Sequence, residues 1–124
     1  MTYALGKRSL ERLVGVHPDL VRVVKRAIEL TDHDFSVIEG LRTLETQRAY
    51  VAKGASKTMN SRHITGHAVD LYPVGRPTPW DKCPVVAKAM QAAADELGVA
   101  IVWGGSWKSF VDQPHFELLR SKYP

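Results

Sequence analysis

The stretch SRHITGHAVD, residues 61–70, is the part of the chain around which the rest can be arranged. It contains two residues of types that bind metal ions, His63 and Asp70, with Gly66 between them. On a continuous helix their separation of seven positions would correspond to about 10.5 Å, too far to share one ion at bonds of about 2 Å. We therefore predict a loop that bends at Gly66 and enters a short strand near Asp70.

A second segment, DQPHFE at residues 112–117, supplies a further candidate ligand, His115. Pro114 fixes its own φ and favours extended backbone at Gln113, so we expect a loop that leads into a strand. Asp112 would then lie near a metal ion without binding it, in a position to accept a proton from water. Histidines and aspartates are common in a chain of this size, so spacing alone leaves ordinary polar residues as an alternative.

The rest of the chain alternates helical and extended patterns. Apolar spacing and capping residues predict four helices, at residues 9–15, 18–31, 44–53 and 85–97. Short β-prone runs predict four strands, at residues 35–39, 69–72, 99–103 and 114–118. This order favours an α+β fold with a small antiparallel sheet and helices packed on one side.

Length and charge restrict the functional classes. A chain of 124 residues fits one domain, residues 1–124, and no repeat or linker divides it. The net charge of +4 favours contact with anionic polymers, which include nucleic acid, teichoic acid, lipopolysaccharide and peptidoglycan carboxylates, but does not choose among them. Basic residues are scattered and do not alternate with aromatics, so we expect no nucleic-acid partner. No apolar run approaches the ~20 residues of a membrane span, so we expect no stable membrane insertion.

Two groups of residues carry a family resemblance. Ser61-x-His63-x-x-Gly66-x-Ala68-x-Asp70 resembles the signature of the zinc D-Ala-D-Ala carboxypeptidases and dipeptidases. WGGSW at residues 103–107, followed by Phe110, Asp112 and PHFE at residues 114–117, is similar to the second signature of the bacteriophage branch. That branch contains endolysins that are L-alanyl-D-glutamate endopeptidases. LGKRSL at residues 5–10 and EGLRT at residues 39–43 extend the resemblance over nearly the whole chain.

Transferred position by position, the resemblance implies a Hedgehog/D-Ala-D-Ala peptidase-like single catalytic domain with one Zn2+ ion. It makes His63, Asp70 and His115 the zinc ligands, and Asp112 the general base and acid. Arg42 would contact the substrate and stabilise the oxyanion of the tetrahedral intermediate. The resemblance further implies that Ser61 helps to hold the substrate or the metal ligands. Trp103 and Trp107 are candidates for lining the cleft, Trp103 as a substrate-binding residue, and a place in the core is the alternative for both.

The function implied is that of an endolysin that hydrolyses the L-Ala–D-Glu bond of peptidoglycan stem peptides and lyses the bacterial host. No apolar segment follows Lys7 and Arg8, so we expect no signal peptide. This fits an endolysin that waits in the host cytoplasm until the membrane is permeabilised. We expect the protein to be a monomer. We expect no separate cell-wall-binding domain. The main alternative is a D-alanyl-D-alanine carboxypeptidase or dipeptidase of the same fold. An inactive zinc-binding module is a third reading, which an intact Asp112 disfavours.

Overall fold

Four short strands form the sheet that carries the candidate site. The computed structural model describes residues 2–56, 59, 61–109 and 111–124. The strands are β1 (Phe35–Glu39), β2 (Ala68–Pro73), β3 (Ile101–Trp103) and β4 (His115–Leu118). They lie in the order β1-β2-β4-β3, and every neighbouring pair is antiparallel. The predicted α+β class with a small antiparallel sheet is confirmed.

The described helices are α1 (Lys7–Arg12), α2 (Pro18–Leu30), α3 (Leu44–Ala52) and α4 (Cys83–Leu97). Helices α2 and α4 pack on each other, and α4 also contacts β2 and β3. Their apolar faces and the sheet enclose one core, because helices of this kind must bury one stripe against another element. Among the described helices, none has the length and hydropathy needed to cross a membrane.

Most helix ends follow the local sequence signals. Helix α2 begins after His17, whose Nδ1 accepts a hydrogen bond from the Asp19 backbone at 3.1 Å. Helix α3 begins after Thr43, whose hydroxyl accepts from the Thr46 backbone at 3.1 Å. The start predicted at Ser9 for the first helix is wrong. Ser9 lies buried inside α1, and its hydroxyl accepts from the Val37 backbone at 2.9 Å, so a contact with β1 has replaced the cap.

The two faces of the sheet have different chemistry. Side chains alternate along a strand, so one face of β2 and β4 is apolar and belongs to the core. The residues of that face are Val69, Leu71, Phe116 and Leu118. By the same alternation Asp70, His115 and Glu117 share the opposite face. The helices therefore cover one face of these strands and leave the other for polar residues.

A β-bulge in β1 changes the direction of Glu39. Val37 pairs with Leu71, whereas Glu39 pairs with Asp70, so β1 advances two residues while β2 advances one. Without the bulge, Glu39 would follow Phe35 and Val37 towards the apolar core. The extra residue instead brings the Glu39 carboxylate to the face that carries Asp70.

Gly66 is predicted to be essential for the stability of the loop that precedes β2. Its φ is +75°, and a Cβ atom there would lie 2.5 Å from the Gly15 carbonyl oxygen. Gly98 has a similar φ of +69°, but a Cβ atom there would meet nothing within 4 Å. We expect Gly98→Ala to lower the free energy of unfolding by about 1–2 kcal/mol, and Gly66→Ala to lower it by a further ~1–3 kcal/mol because of the clash.

Urea denaturation followed by circular dichroism would measure both variants. Gly98→Ala serves as the matched control, since it reports the cost of the left-handed backbone alone. Equal losses of stability in the two variants would show that the close approach to Gly15 is unimportant.

Candidate metal centre

Three side chains that could bind one metal ion meet at the polar face of the sheet. Asp70 in β2 lies directly opposite His115 in β4, and His115 Nδ1 is 3.3 Å from Asp70 Oδ1. His63 Nε2 reaches the same carboxylate oxygen at 3.1 Å from the preceding loop. One donor atom from each of the three residues lies within 4.8 Å of the other two. The structure thus brings together the three ligands that the sequence suggested.

The loop that carries His63 is held to the turn after β1. The Arg42 backbone N–H donates to the His63 carbonyl at 2.9 Å, and His63 Nδ1 donates to the Gly40 carbonyl at 2.9 Å. The hydroxyl of Ser61 accepts from the His63 backbone at 3.2 Å. A side chain at Gly40 would collide with the Arg12 carbonyl oxygen, which explains glycine at this position.

The ring nitrogens that face away from the cluster are both occupied. The Gly40 carbonyl can only accept a hydrogen bond, so His63 Nδ1 donates to it, and Nε2 is the ring nitrogen that faces Asp70. The Glu117 carboxylate likewise accepts from His115 Nε2 at 2.8 Å, which leaves Nδ1 to face Asp70. Partners of this kind orient metal-binding histidines and fix their tautomers.

The cluster has opposite effects on its acidic and basic members. Burial favours the neutral form of Asp70, but hydrogen bonds from His115 and His63 outweigh it and hold the pKa of Asp70 well below its usual range. Burial also opposes the charged form of His115. Its hydrogen bonds to Asp70 and Glu117 outweigh this effect of burial and raise the pKa of His115 to about 9. The protonated ring of His115 therefore donates to both carboxylates, from Nδ1 to Asp70 and from Nε2 to Glu117.

Arg42 lies beside the cluster and is almost completely buried. Its Nε and Nη2 groups donate to the carboxylate of Glu39, and its Nη1 group donates to Gln47 and, at 3.4 Å, to Ser61. The Arg42 Nη2 atom also lies 3.9 Å from Asp70 Oδ2. Arg42 is therefore fixed in place, with one edge of its guanidinium directed at the candidate metal ligands.

Tyr50 contacts both Glu39 and Arg42. Its hydroxyl donates to Glu39 Oε2 at 2.9 Å, and the Arg42 guanidinium carbon lies 4.6 Å from the centre of its ring. No local sequence pattern indicates these contacts, because Tyr50 and Glu39 lie on different elements and meet only through the bulge in β1.

Asp112 reaches the cluster from the loop before β4. Its backbone N–H donates to the Gly104 carbonyl at 3.0 Å, and a side chain at Gly104 would collide with the Asp112 carbonyl oxygen. Burial raises the pKa of Asp112, and the negative charge of Asp70 raises it further. Within the part of the chain that the structure describes, the Asp112 carboxylate has no hydrogen-bond partner and faces the same cleft as the cluster.

The cleft has a volume of about 710 Å³, a size typical of small-ligand sites. Its described lining includes all three candidate ligands, together with Arg42, Ser61 and Asp112. Trp107 also lines it, with its ring 5.1 Å from that of His115. Trp103 is not among the described lining residues. Its ring stacks on Phe116, and its Nε1 donates to the Gln113 carbonyl at 2.6 Å.

Two further histidines lie outside the cluster. The rings of His17 and His67 are 5.6 Å apart and belong to neither the cluster nor the described cleft lining. Phe110, part of the second signature, lies outside the described residues. Glu117 belongs to the same signature, and the resemblance implies no role for it. Glu117 lies two residues after His115 on a predicted strand, and residues at this spacing share one face of a sheet. This spacing is the sequence signal that places Glu117 beside His115.

The chain is similar to several known proteins. Residues 1–119 match the family model described as phage L-alanyl-D-glutamate peptidase. The L-alanyl-D-glutamate peptidase of Escherichia phage T5 is 34% identical over 99% of this chain and 94% of its own length. The enzyme of the same name from Listeria phage A118 is 40% identical over 66% of this chain, which corresponds to 29% of that longer protein.

A solved structure is also similar. The crystal structure of the Serratia marcescens L-Ala D-Glu endopeptidase ChiX matches with a TM-score of 0.89 and 46% sequence identity. The match covers 95% of this chain and 91% of that one. At this identity and coverage the likeness extends beyond a shared fold.

Metal binding should release a proton from His115. Because the pKa of His115 is raised to about 9, its imidazole is protonated at pH 7, and a metal ion must displace the proton on Nδ1. We expect the affinity for Zn2+ to rise by roughly tenfold per pH unit between pH 7 and pH 9 and then to level off. Competition with a chromophoric chelator of known pH dependence would measure this affinity.

Glu117→Gln is the informative variant in this titration. It keeps a hydrogen-bond acceptor beside His115 but removes one of the two negative charges that raise its pKa. The affinity of the variant should level off at a lower pH than that of the parent protein. An affinity that does not change between pH 7 and pH 9 would contradict the proton displacement.

Proposed function

Because this chain belongs to the phage L-alanyl-D-glutamate peptidase family, we propose that it is a zinc metallopeptidase of the endolysin type that hydrolyses the L-Ala–D-Glu bond of peptidoglycan stem peptides. One observation carries the proposal. The cluster of His63, Asp70 and His115 opens into a cleft together with Asp112, a carboxylate that has no hydrogen-bond partner among the described residues.

The donor set supports zinc as the resident metal. Two imidazole nitrogens and one carboxylate oxygen are common catalytic zinc ligands, and they leave a coordination position free. Tetrahedral ligands at bonds of ~2.0–2.1 Å lie about 3.3 Å from one another. The distances of His63 and His115 from Asp70 Oδ1, 3.1 and 3.3 Å, fit this requirement. When bound, zinc supplies Lewis-acid polarisation of a carbonyl and lowers the pKa of water.

Asp112 is our candidate for the general base and acid. It accepts the proton of the attacking water and later returns it to the departing amine of D-Glu. Two features of the carboxylate support this role. It makes no competing hydrogen bond to the described residues, and burial and the charge of Asp70 raise its pKa towards the range where both transfers are feasible.

Arg42 is our candidate for stabilising the oxyanion. Glu39, Gln47 and Ser61 hold its guanidinium, so no reorganisation is needed when negative charge develops on the scissile carbonyl oxygen. The Nη2 atom lies 3.9 Å from Asp70 Oδ2, beside the candidate metal ligands. Ser61 supports Arg42 and the His63 backbone, and of the two candidate tryptophans Trp107 is the one that lines the described cleft, so we propose it as the substrate contact.

The biological setting follows from the family. We propose that the monomeric enzyme accumulates in the host cytoplasm and reaches the cell wall after the membrane is permeabilised. The net charge of +4 would favour its association with the anionic wall.

Digestion of purified peptidoglycan provides the direct test of the reaction. The zinc-loaded protein should generate new D-Glu amino termini, detected by end-group labelling and mass spectrometry of the products. Release of free D-Ala without new D-Glu amino termini would instead identify a D-alanyl-D-alanine carboxypeptidase and contradict the proposed bond.

The role of Asp112 can be separated from metal binding. Asp112→Asn keeps the size of the side chain but removes the proton acceptor, so we expect hydrolysis to fall roughly 10²- to 10⁴-fold while zinc content stays unchanged. Asp32→Asn is the matched control, because Asp32 is exposed and does not line the cleft. Near-normal turnover by zinc-loaded Asp112→Asn would exclude Asp112 as the base.

A further inference from the structure

Most of the charged side chains in the described cleft are already committed to one another. Three of its four carboxylates have partners: Glu39 accepts from Arg42 and Tyr50, Asp70 faces the two histidines, and Glu117 accepts from His115. The fourth, Asp112, is the candidate proton carrier. None of these groups is available to hold the substrate by its charge.

Four cationic side chains line the described cleft, and three of them also have partners. Arg42 is paired with Glu39, and Arg62 is buried and donates to the carbonyls of Leu118 and Tyr123 at 3.2 and 2.6 Å. Lys53 holds its Nζ atom 4.9 Å from the centre of the Tyr50 ring. Arg120 is exposed, and it makes no hydrogen bond or ion pair within 4 Å with any residue that the structure describes. No described residue therefore occupies its donors, which face the cleft.

The substrate named by the family carries a matching group. A glutamate residue that is joined to its neighbours through its amine and one carboxyl group keeps a second carboxyl group, which is ionised at neutral pH. The planar guanidinium of arginine can donate two parallel hydrogen bonds to such a carboxylate. Arg120 follows β4, the strand that carries His115, so it lies at the rim of the cleft that contains the candidate metal ligands.

We propose that Arg120 binds the free carboxylate of the D-Glu residue and makes the enzyme selective for stem peptides in which this group is not amidated. The inference rests on the proposed peptidase function and adds a specificity-determining residue to it. Arg120 is favoured over Lys53 because the ammonium group of Lys53 already has a partner in Tyr50, and because a single ammonium cannot reproduce the two-point contact.

Two synthetic stem peptides would test the proposal with the zinc-loaded, full-length protein. Both contain L-Ala–D-Glu, with D-Glu joined to the next residue through its side-chain carboxyl group. One keeps the free α-carboxylate, and the other carries an α-carboxamide. We expect amidation to lower kcat/KM of the parent enzyme roughly tenfold to a hundredfold, mainly through KM, because it removes a charge-assisted contact.

Arg120→Gln should lower kcat/KM for the carboxylate peptide by the same factor and leave the carboxamide peptide within about twofold, so that the two substrates become equivalent. Arg120→Lys should restore part of the preference. Lys122→Gln, an exposed residue outside the described cleft lining, is the matched control and should leave both values unchanged.

Several outcomes would overturn the proposal. The preference for the carboxylate peptide could survive in Arg120→Gln, or it could be lost in Lys53→Gln while Arg120→Gln retains it. If the parent enzyme cleaves neither peptide between L-Ala and D-Glu, the proposed function fails and this inference falls with it. If it cleaves both peptides equally, the peptidase function stands and only the role of Arg120 is rejected.

Discussion

The antiparallel pairing of β2 with β4 is the constraint on which the rest of the site depends. It sets Asp70 directly opposite His115, at a spacing where facing side chains can reach one ion. A shift of one residue in this register would turn one of the two towards the apolar core. The core residues next to them, Val69 and Phe116, oppose that shift because they would have to leave the buried side of the sheet. Burial of apolar side chains on one face thus fixes the polar geometry on the other.

The polar face is organised by neighbours that hold each functional group in one orientation. Gly40 and Glu117 occupy the outer ring nitrogens of the two histidines, and Glu39 immobilises Arg42. Each of these contacts costs desolvation, which a buried charge recovers only when it is paired and hydrogen-bonded. The arrangement is therefore better explained by preorganisation of the site than by its contribution to stability.

Local sequence signals identified much of the fold. The position of Pro18 after His17, the cap at Thr43 and Gly98 after Leu97 mark helix ends that the structure reproduces. These signals are reliable because capping and proline geometry act over a few residues. The start predicted at Ser9 failed for the opposite reason: its hydroxyl contacts Val37, 28 residues away, and no local pattern reports such a contact.

The sequence by itself determined the types of the donor residues, the turn at Gly66 and, through two signatures, the family. It also pointed to Arg42 and Asp112 as residues of interest. Only the tertiary structure decided which groups support them. The bulge in β1 turns Glu39 to the site, and of the two tryptophans that the sequence offered as cleft lining, Trp107 is found there. Both outcomes depend on packing between distant elements. Such contacts follow from how apolar faces are buried together, a property of the whole chain that short spacings do not encode.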